Sequence, residues 1–361
     1  MKWSSKAKVF DSALQHHGGR LNSDQIHPDT APGFEEFITF FNDVLCNSKR
    51  KFGAAEVHCD WVANTSFNAL ATSLRDHELI GIFAGVPLLI YNHSYCFLSD
   101  PETLPNVGNG ARESPEERVL EGLRKGQLSP LPKGPRDPVR HDAAMHLAWG
   151  AVAFVFFHEL AHIAWGHLRL LTDYTGSCEY LELPMHPLSD DVTRLRLLLE
   201  LDADNFAAAT LSLYWKKWWD GGSFKALENL GRDTSWAISL SMLFLVMDST
   251  RSVQPALGQA THPPPLVRLI NIATLGANEQ LPAYTGSEEA MVLGLEEVKA
   301  WRQRAGLRPS QGRHGIDWGV HEHLNLLRKE LAEKYVAQLN QYSAARVEFC
   351  STLQSSTLNE T

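Results

Sequence analysis

Residues 152–167, VAFVFFHELAHIAWGH, set two histidines and a glutamate into an almost wholly apolar run. Buried polar side chains cost free energy unless something satisfies them. On a helix, residues four apart lie about 40° from each other around the axis, so His158 and His162 project from one face. Two imidazoles so placed suit one zinc ion, Zn2+. Glu159 lies about 100° further round. From there it reaches a water on such an ion without displacing it.

A catalytic zinc ion takes three protein ligands and leaves one position open. His167 stands five residues after His162, about 140° off the ligand face of a straight helix, and is read as a helix-end residue. The better third ligand is Glu200, in the apolar stretch LLLELDADNFAA. Glu200 and Asp204 share a helix face, with Ala203 and Ala207 beside them to allow close packing. Asp204 is placed to accept a hydrogen bond from the far nitrogen of a ligand histidine, which fixes its tautomer. Asp202 is expected to face solvent or a cap.

These side chains need elements to hold them. A helix is expected over about 141–171, carrying the motif, and another from Asp190 or Asp191 through DVTRLRLLLELDADNFAAATLSLYWKKWW. Further helices are expected at 34–48, 236–247, after the prolines of THPPPLVRL, near 286–303 and near 318–346. Residues 67–98 consist of short apolar runs broken by glycine and charged pairs, which reads as strands. The fold class is α+β and predominantly helical. Three stretches follow: an N-terminal part, 1–140, with a small sheet at about 65–100 and a Pro/Gly-rich loop at about 99–138; a zinc-site helical core, 141–275; and C-terminal helices with a disordered tail, 276–361. Together they are expected to form one compact catalytic unit. The loop is given one short helix at 115–125 and is a candidate lid.

The set HELAH followed by ELDAD resembles the gluzincin metallopeptidases, in particular the family of the bacterial membrane heat-shock protease and the CAAX prenyl protease. The resemblance implies a zincin-like core of the minigluzincin type, with a small mixed sheet packed on the zinc-site helices. It implies zinc held by His158, His162 and Glu200, with Glu159 as general base and Asp204 behind a ligand. The stretch NALAT, with Asn68 and Ala69, resembles the segment leading into that family's substrate-side sheet, where an edge strand pairs with extended substrate. The stretch THPPPLVRL resembles its His-Pro…Arg element, which makes His262 and Arg268 candidate donors to the oxyanion of peptide hydrolysis. The activity implied is that of a zinc-dependent endopeptidase. A second, looser likeness is to the phage-exclusion protease, a cytosolic HExxH enzyme that cleaves a host translation factor. A rival from another class is a zinc-containing peptide-binding or sensor protein without turnover.

Composition bounds these readings. A formal net charge of −9 over 361 residues argues against a nucleic-acid-binding face, so the expected partner is a protein or peptide substrate. Five cysteines, Cys46, Cys59, Cys96, Cys178 and Cys350, contain no CxxC pair and form no disulfide framework, which suits a reducing compartment. The apolar stretches before the motif and at 236–247 each fall short of the ~20 residues a span needs. No membrane span is expected, and the expected location is cytoplasmic. Oligomeric state is left open.

Overall fold

The computed structural model describes residues 5–28, 30–48, 56–74, 77–114, 133–176, 179–181, 190–250, 263–277, 288–307 and 318–343. His262, the expected helix at 115–125 and the tail after Cys350 lie outside the described residues. In chain order the helices are α1 (Ser5–Leu14), α2 (Ala31–Ser48), α3 (Gly85–Ser99), α4 (Pro138–Ala164), α5 (His167–Thr175), α6 (Asp190–Asp220), α7 (Arg232–Thr250), α8 (Pro265–Ala277), α9 (Glu288–Arg304), α10 (Trp318–Lys334) and α11 (Val336–Tyr342). The strands are β1 (Glu56–Val62), β2 (Ala69–Leu74), β3 (His77–Phe83) and β4 (Glu179–Leu181).

The strands form one mixed sheet in the order β1-β3-β2-β4. β1 runs parallel to β3, whereas β2 is antiparallel to both β3 and β4. Strand alternation decides what covers each face. Val62, Leu70, Leu79 and Phe83 pack with Phe10 and Leu14 of α1. Cys59, Trp61, Ala69, Ile80 and Ile82 join the main core with α2 and α4. Gly81 allows the close approach of α1: a Cβ there would lie 2.8 Å from Leu14 and 2.9 Å from Val62.

β2 is therefore an inner strand, and this corrects the reading of Asn68 and Ala69 as a substrate-pairing edge. Ala69 pairs with Ile82 on one side, and β4 covers residues 70–72 on the other. The Ala69 N–H donates to the Asn68 side chain, leaving no amide there for a substrate strand. Residues 67–98 also need revision. Two strands occupy the first half, but the second half is α3, all of whose residues are buried. A helix buried on every side has no amphipathic period, so its apolar run cannot be told from strand by pattern. β1 carries Val57, Trp61 and Val62, a strand outside the sheet expected at about 65–100.

α4 begins at Asp137, whose carboxylate accepts hydrogen bonds from the Val139 and Arg140 amides, followed by Pro138 in the first turn. It packs among α3, α6, α7 and the sheet. At 27 residues it is long and apolar enough to cross a membrane by length and composition, contrary to the shorter apolar run counted in the sequence; 89% of its most apolar window is buried inside the protein. The loop after α3 closes on the first turn of this helix. The buried Arg140 guanidinium donates to the carbonyls of Leu98, Asp100, Thr103, Leu104 and Val107, at 2.7 to 3.3 Å. Arg304 of α9 adds bonds to Asp100 and Thr103. Residues 98–107 are thus fastened roughly 27 Å of helix rise from His158, too far to act as a lid over it.

The helix expected over 141–171 is broken. α4 stops at Ala164, Gly166 adopts a left-handed conformation with φ 78°, and α5 starts at His167. A left-handed residue ends a helix, and glycine adopts it without a Cβ penalty. The Ser343 hydroxyl donates to the Ala164 carbonyl, and a Cβ on Gly166 would lie 2.7 Å from the Tyr342 Cβ. The C-terminal end of α11 thus seats directly on the break. The helix expected at 318–346 is likewise two, α10 and α11, with Tyr335 between them.

Candidate metal centre

α4 and α6 pack against each other, with Ala203 and Ala207 fully buried on α6. The contact brings Glu200 opposite the motif. His158 Nε2 lies 3.2 Å from His162 Nε2. Glu200 Oε2 lies 3.4 Å from His158 Nε2, and Glu200 Oε1 lies 3.5 Å from His162 Nε2. Among the described residues these three side chains form a buried group that could hold a metal ion.

The fit to such an ion can be tested on these distances. Ligand bonds of about 2.0–2.1 Å in a tetrahedron put neighbouring ligand atoms about 3.3–3.4 Å apart. The imidazole nitrogens lie 3.2 Å apart, and each lies 3.4 or 3.5 Å from a different oxygen of the Glu200 carboxylate, all close to that value. The donor set, two imidazole nitrogens and a carboxylate, is one that zinc-class cations accept.

What lies behind His158 supports the same geometry. Its Nδ1 is 3.0 Å from Asp204 Oδ1. Arg268, reaching in from α8, donates from Nε to Asp204 Oδ2 at 2.8 Å and from Nη2 to Oδ1 at 2.7 Å. Nη2 also approaches His158 Nδ1 at 3.3 Å, as two donors sharing one acceptor oxygen. An ionised Asp204 accepts a hydrogen bond from His158 Nδ1–H, so in the neutral ring the lone pair sits on Nε2 and faces the cluster. Arg268 is fully buried against Asp204 and behind His158. That placement departs from its expected role as an oxyanion donor: its contacts position Asp204.

The charge balance favours a cation. Burial alone would raise the Asp204 carboxyl, but Arg268 and then His158 outweigh it and hold it below the ordinary carboxylate range. Burial alone would depress the His158 ring. Glu200 and then Asp204 outweigh it, and with no cation in place its pKa is raised to about 10. A proton on His158 then stands where a metal would otherwise balance the carboxylates.

Glu159 is 2% exposed and lies one residue round from His158. Its charge reaches the sheet: burial first, then Asp60 and Glu159, push the Cys59 thiol well above its ordinary value. His167 stands at a helix end, as its spacing predicts, but its contacts were not legible from the sequence, and Asp202 departs from expectation. His167 is fully buried, with Nδ1 3.1 Å from His162 Nδ1 and Nε2 3.1 Å from Asp202 Oδ2. Asp202, expected at the surface, is 5% exposed. The glycine before His167 was the available signal, since a break there turns the next residue back towards the ligand face.

Residues 119–283 match the family described as Peptidase U49. The matched stretch contains His158, Glu159, His162, Glu200, Asp204 and Arg268, and the match to a peptidase family indicates a peptidase, a hydrolase. Comparison with curated proteins and with solved structures returned no match.

Proposed function

We propose that this protein is a zinc-dependent endopeptidase of the gluzincin type. The observation that carries the reading is the convergence of His158 Nε2, His162 Nε2 and the Glu200 carboxylate at edges of 3.2, 3.4 and 3.5 Å. Two imidazoles favour zinc over calcium or magnesium, which prefer all-oxygen sites. When bound, zinc lowers the pKa of a coordinated water and polarises a substrate carbonyl.

The chain's own groups do the rest. Glu159 accepts a proton from the attacking water on a carboxylate oxygen and returns it to the leaving amine. Asp204 keeps the His158 proton on Nδ1, and Arg268 keeps Asp204 ionised and oriented. The substrate proposed is a protein or peptide, and the proposed location is cytoplasmic, with α4 as a core helix rather than a span. The net charge of −9 and the burial of α4 inside the protein support this.

The test is metal analysis of the purified protein combined with a quenched peptide library, with and without a chelator. Stoichiometric zinc and chelator-sensitive cleavage are expected. Zinc without cleavage of any library member would favour the peptide-binding alternative. Absence of bound metal, with none taken up on addition, would overturn the reading.

A further inference from the structure

His158 is supported by a carboxylate that is itself held by an arginine. His162, its partner on the same helix face, has a different support. Its Nδ1 lies 3.1 Å from the Nδ1 of His167. On its other side the His167 ring presents Nε2 to Asp202 at 3.1 Å. All three groups are buried, at 0%, 0% and 5% exposure for His162, His167 and Asp202.

Two ring nitrogens at hydrogen-bond distance need one donor and one acceptor. Which is which follows from the outer end of the chain. An ionised Asp202 can only accept, so His167 carries its proton on Nε2. A neutral His167 then has its lone pair on Nδ1 and accepts from His162. His162 therefore holds its proton on Nδ1 and presents its lone pair from Nε2 to the cluster. With His167 neutral, this assignment satisfies both contacts.

We infer that His167 and Asp202 are positioning residues for His162: a histidine–carboxylate pair that fixes the tautomer and ring orientation of the second metal ligand. The inference rests on the metal reading above. It gives the helix break at Gly166 a purpose. On an uninterrupted helix His167 would lie about 140° from the ligand face. The left-handed turn at φ 78° brings the ring back behind His162. Asp202 reaches it from α6, the helix that also provides Glu200 and Asp204. The two ligand histidines are thus braced from one helix, by carboxylates two residues apart.

The test uses the full chain and three variants, with zinc affinity read by competition against a chromophoric chelator and ligand geometry by the visible spectrum of the cobalt-substituted protein. His167→Leu removes both hydrogen bonds while keeping an apolar filler of moderate size. It is expected to weaken zinc binding by about 10- to 100-fold and to alter the cobalt spectrum. His167→Gln retains an accepting carbonyl and a donating amide, and is expected to recover most of the affinity. Asp202→Asn, nearly isosteric, removes the charge that fixes the tautomer and is expected to bind several-fold more weakly. The thermal midpoint of each metal-free variant separates a positioning effect from a folding defect, and the Gln and Asn variants serve if the Leu variant does not fold. Zinc affinity within twofold of wild type in all three variants, with unchanged cobalt spectra, would overturn the inference. So would equal losses for Gln and Leu, which would make the ring's packing the cause. A wild-type protein that takes up no zinc would instead overturn the metal reading itself.

Discussion

Arg268 grips both oxygens of Asp204, at 2.7 and 2.8 Å, with neither side chain more than 2% exposed. Removing one partner of such a pair leaves the other charged and buried without compensation. Arg268→Ala is expected to lower the free energy of unfolding by about 3–5 kcal/mol. Urea titration of the metal-free protein reads this directly. A loss below about 1 kcal/mol, the range of surface pairs, would show that Asp204 is solvated in the folded chain.

Glu159 lies beside His158 and outside the group formed by His158, His162 and Glu200. Glu159→Gln is therefore expected to bind zinc as the wild type does and to lose turnover by about 10²- to 10⁴-fold. Metal content and cleavage rate measured on the same preparation check both halves. Cleavage at the normal rate would remove Glu159 from the chemistry. In cells, new N-termini that arise with the wild type and not with this variant would identify the natural substrates.

Metal binding is expected to depend on pH through His158. In the metal-free fold its pKa is raised to about 10, so it is protonated at neutral pH. A metal ion must displace that proton. Affinity is accordingly expected to rise about tenfold per pH unit between the ordinary histidine value near 6.5 and about 10, with one proton released on binding. The stability sign is the opposite. A raised pKa contributes stability to the metal-free fold that is fully present below about 6.5 and is lost as pH rises towards 10. Calorimetry in buffers of different ionisation enthalpy counts the released proton; a count of zero at pH 7.5 would contradict the charge balance described here.

Arg140 donates to five carbonyl oxygens, that of Leu98 in the last turn of α3 and those of Asp100, Thr103, Leu104 and Val107 in the loop after it. Arg140→Met keeps the stem and removes every donor. Residues 98–107 are expected to become sensitive to limited proteolysis, and stability to fall by about 3 kcal/mol or more, since buried polar groups left unmade cost about 1–3 kcal/mol each. Mass spectrometry of early fragments locates the cuts. Because Arg140 is roughly 27 Å of helix from His158, zinc affinity is expected to stay unchanged.

The candidate metal site was largely legible because its chemistry is local. His158, Glu159 and His162 share one helix, and Glu200 and Asp204 share another, so helical spacing alone places each set on a face. What spacing cannot show is a change of direction. His167 was set aside on the assumption of a straight α4, and Gly166 breaks that assumption. Helical spacing turns Asp202 away from the face of Asp204, which reads as solvent or a cap, whereas the structure buries it against His167. The strand-like reading of 85–99 failed for a different reason: α3 is buried all round, and an apolar run with no polar face carries no period. Asn68 and Ala69 fit no substrate edge because β4, a three-residue strand far along the chain, closes over β2. Such pairing is a property of topology, which local pattern does not encode.

The seat that Tyr342 and Ser343 make on the Gly166 turn also sets an order of events during synthesis. At about 5–20 residues per second, Tyr342 is added roughly 7–30 s after Glu200. For that interval the nascent chain already carries both histidines and the glutamate, while the turn beneath His167 lacks its final wedge. Translation therefore delivers His158, His162 and Glu200 first and the residues that seat on the turn beneath His167 later.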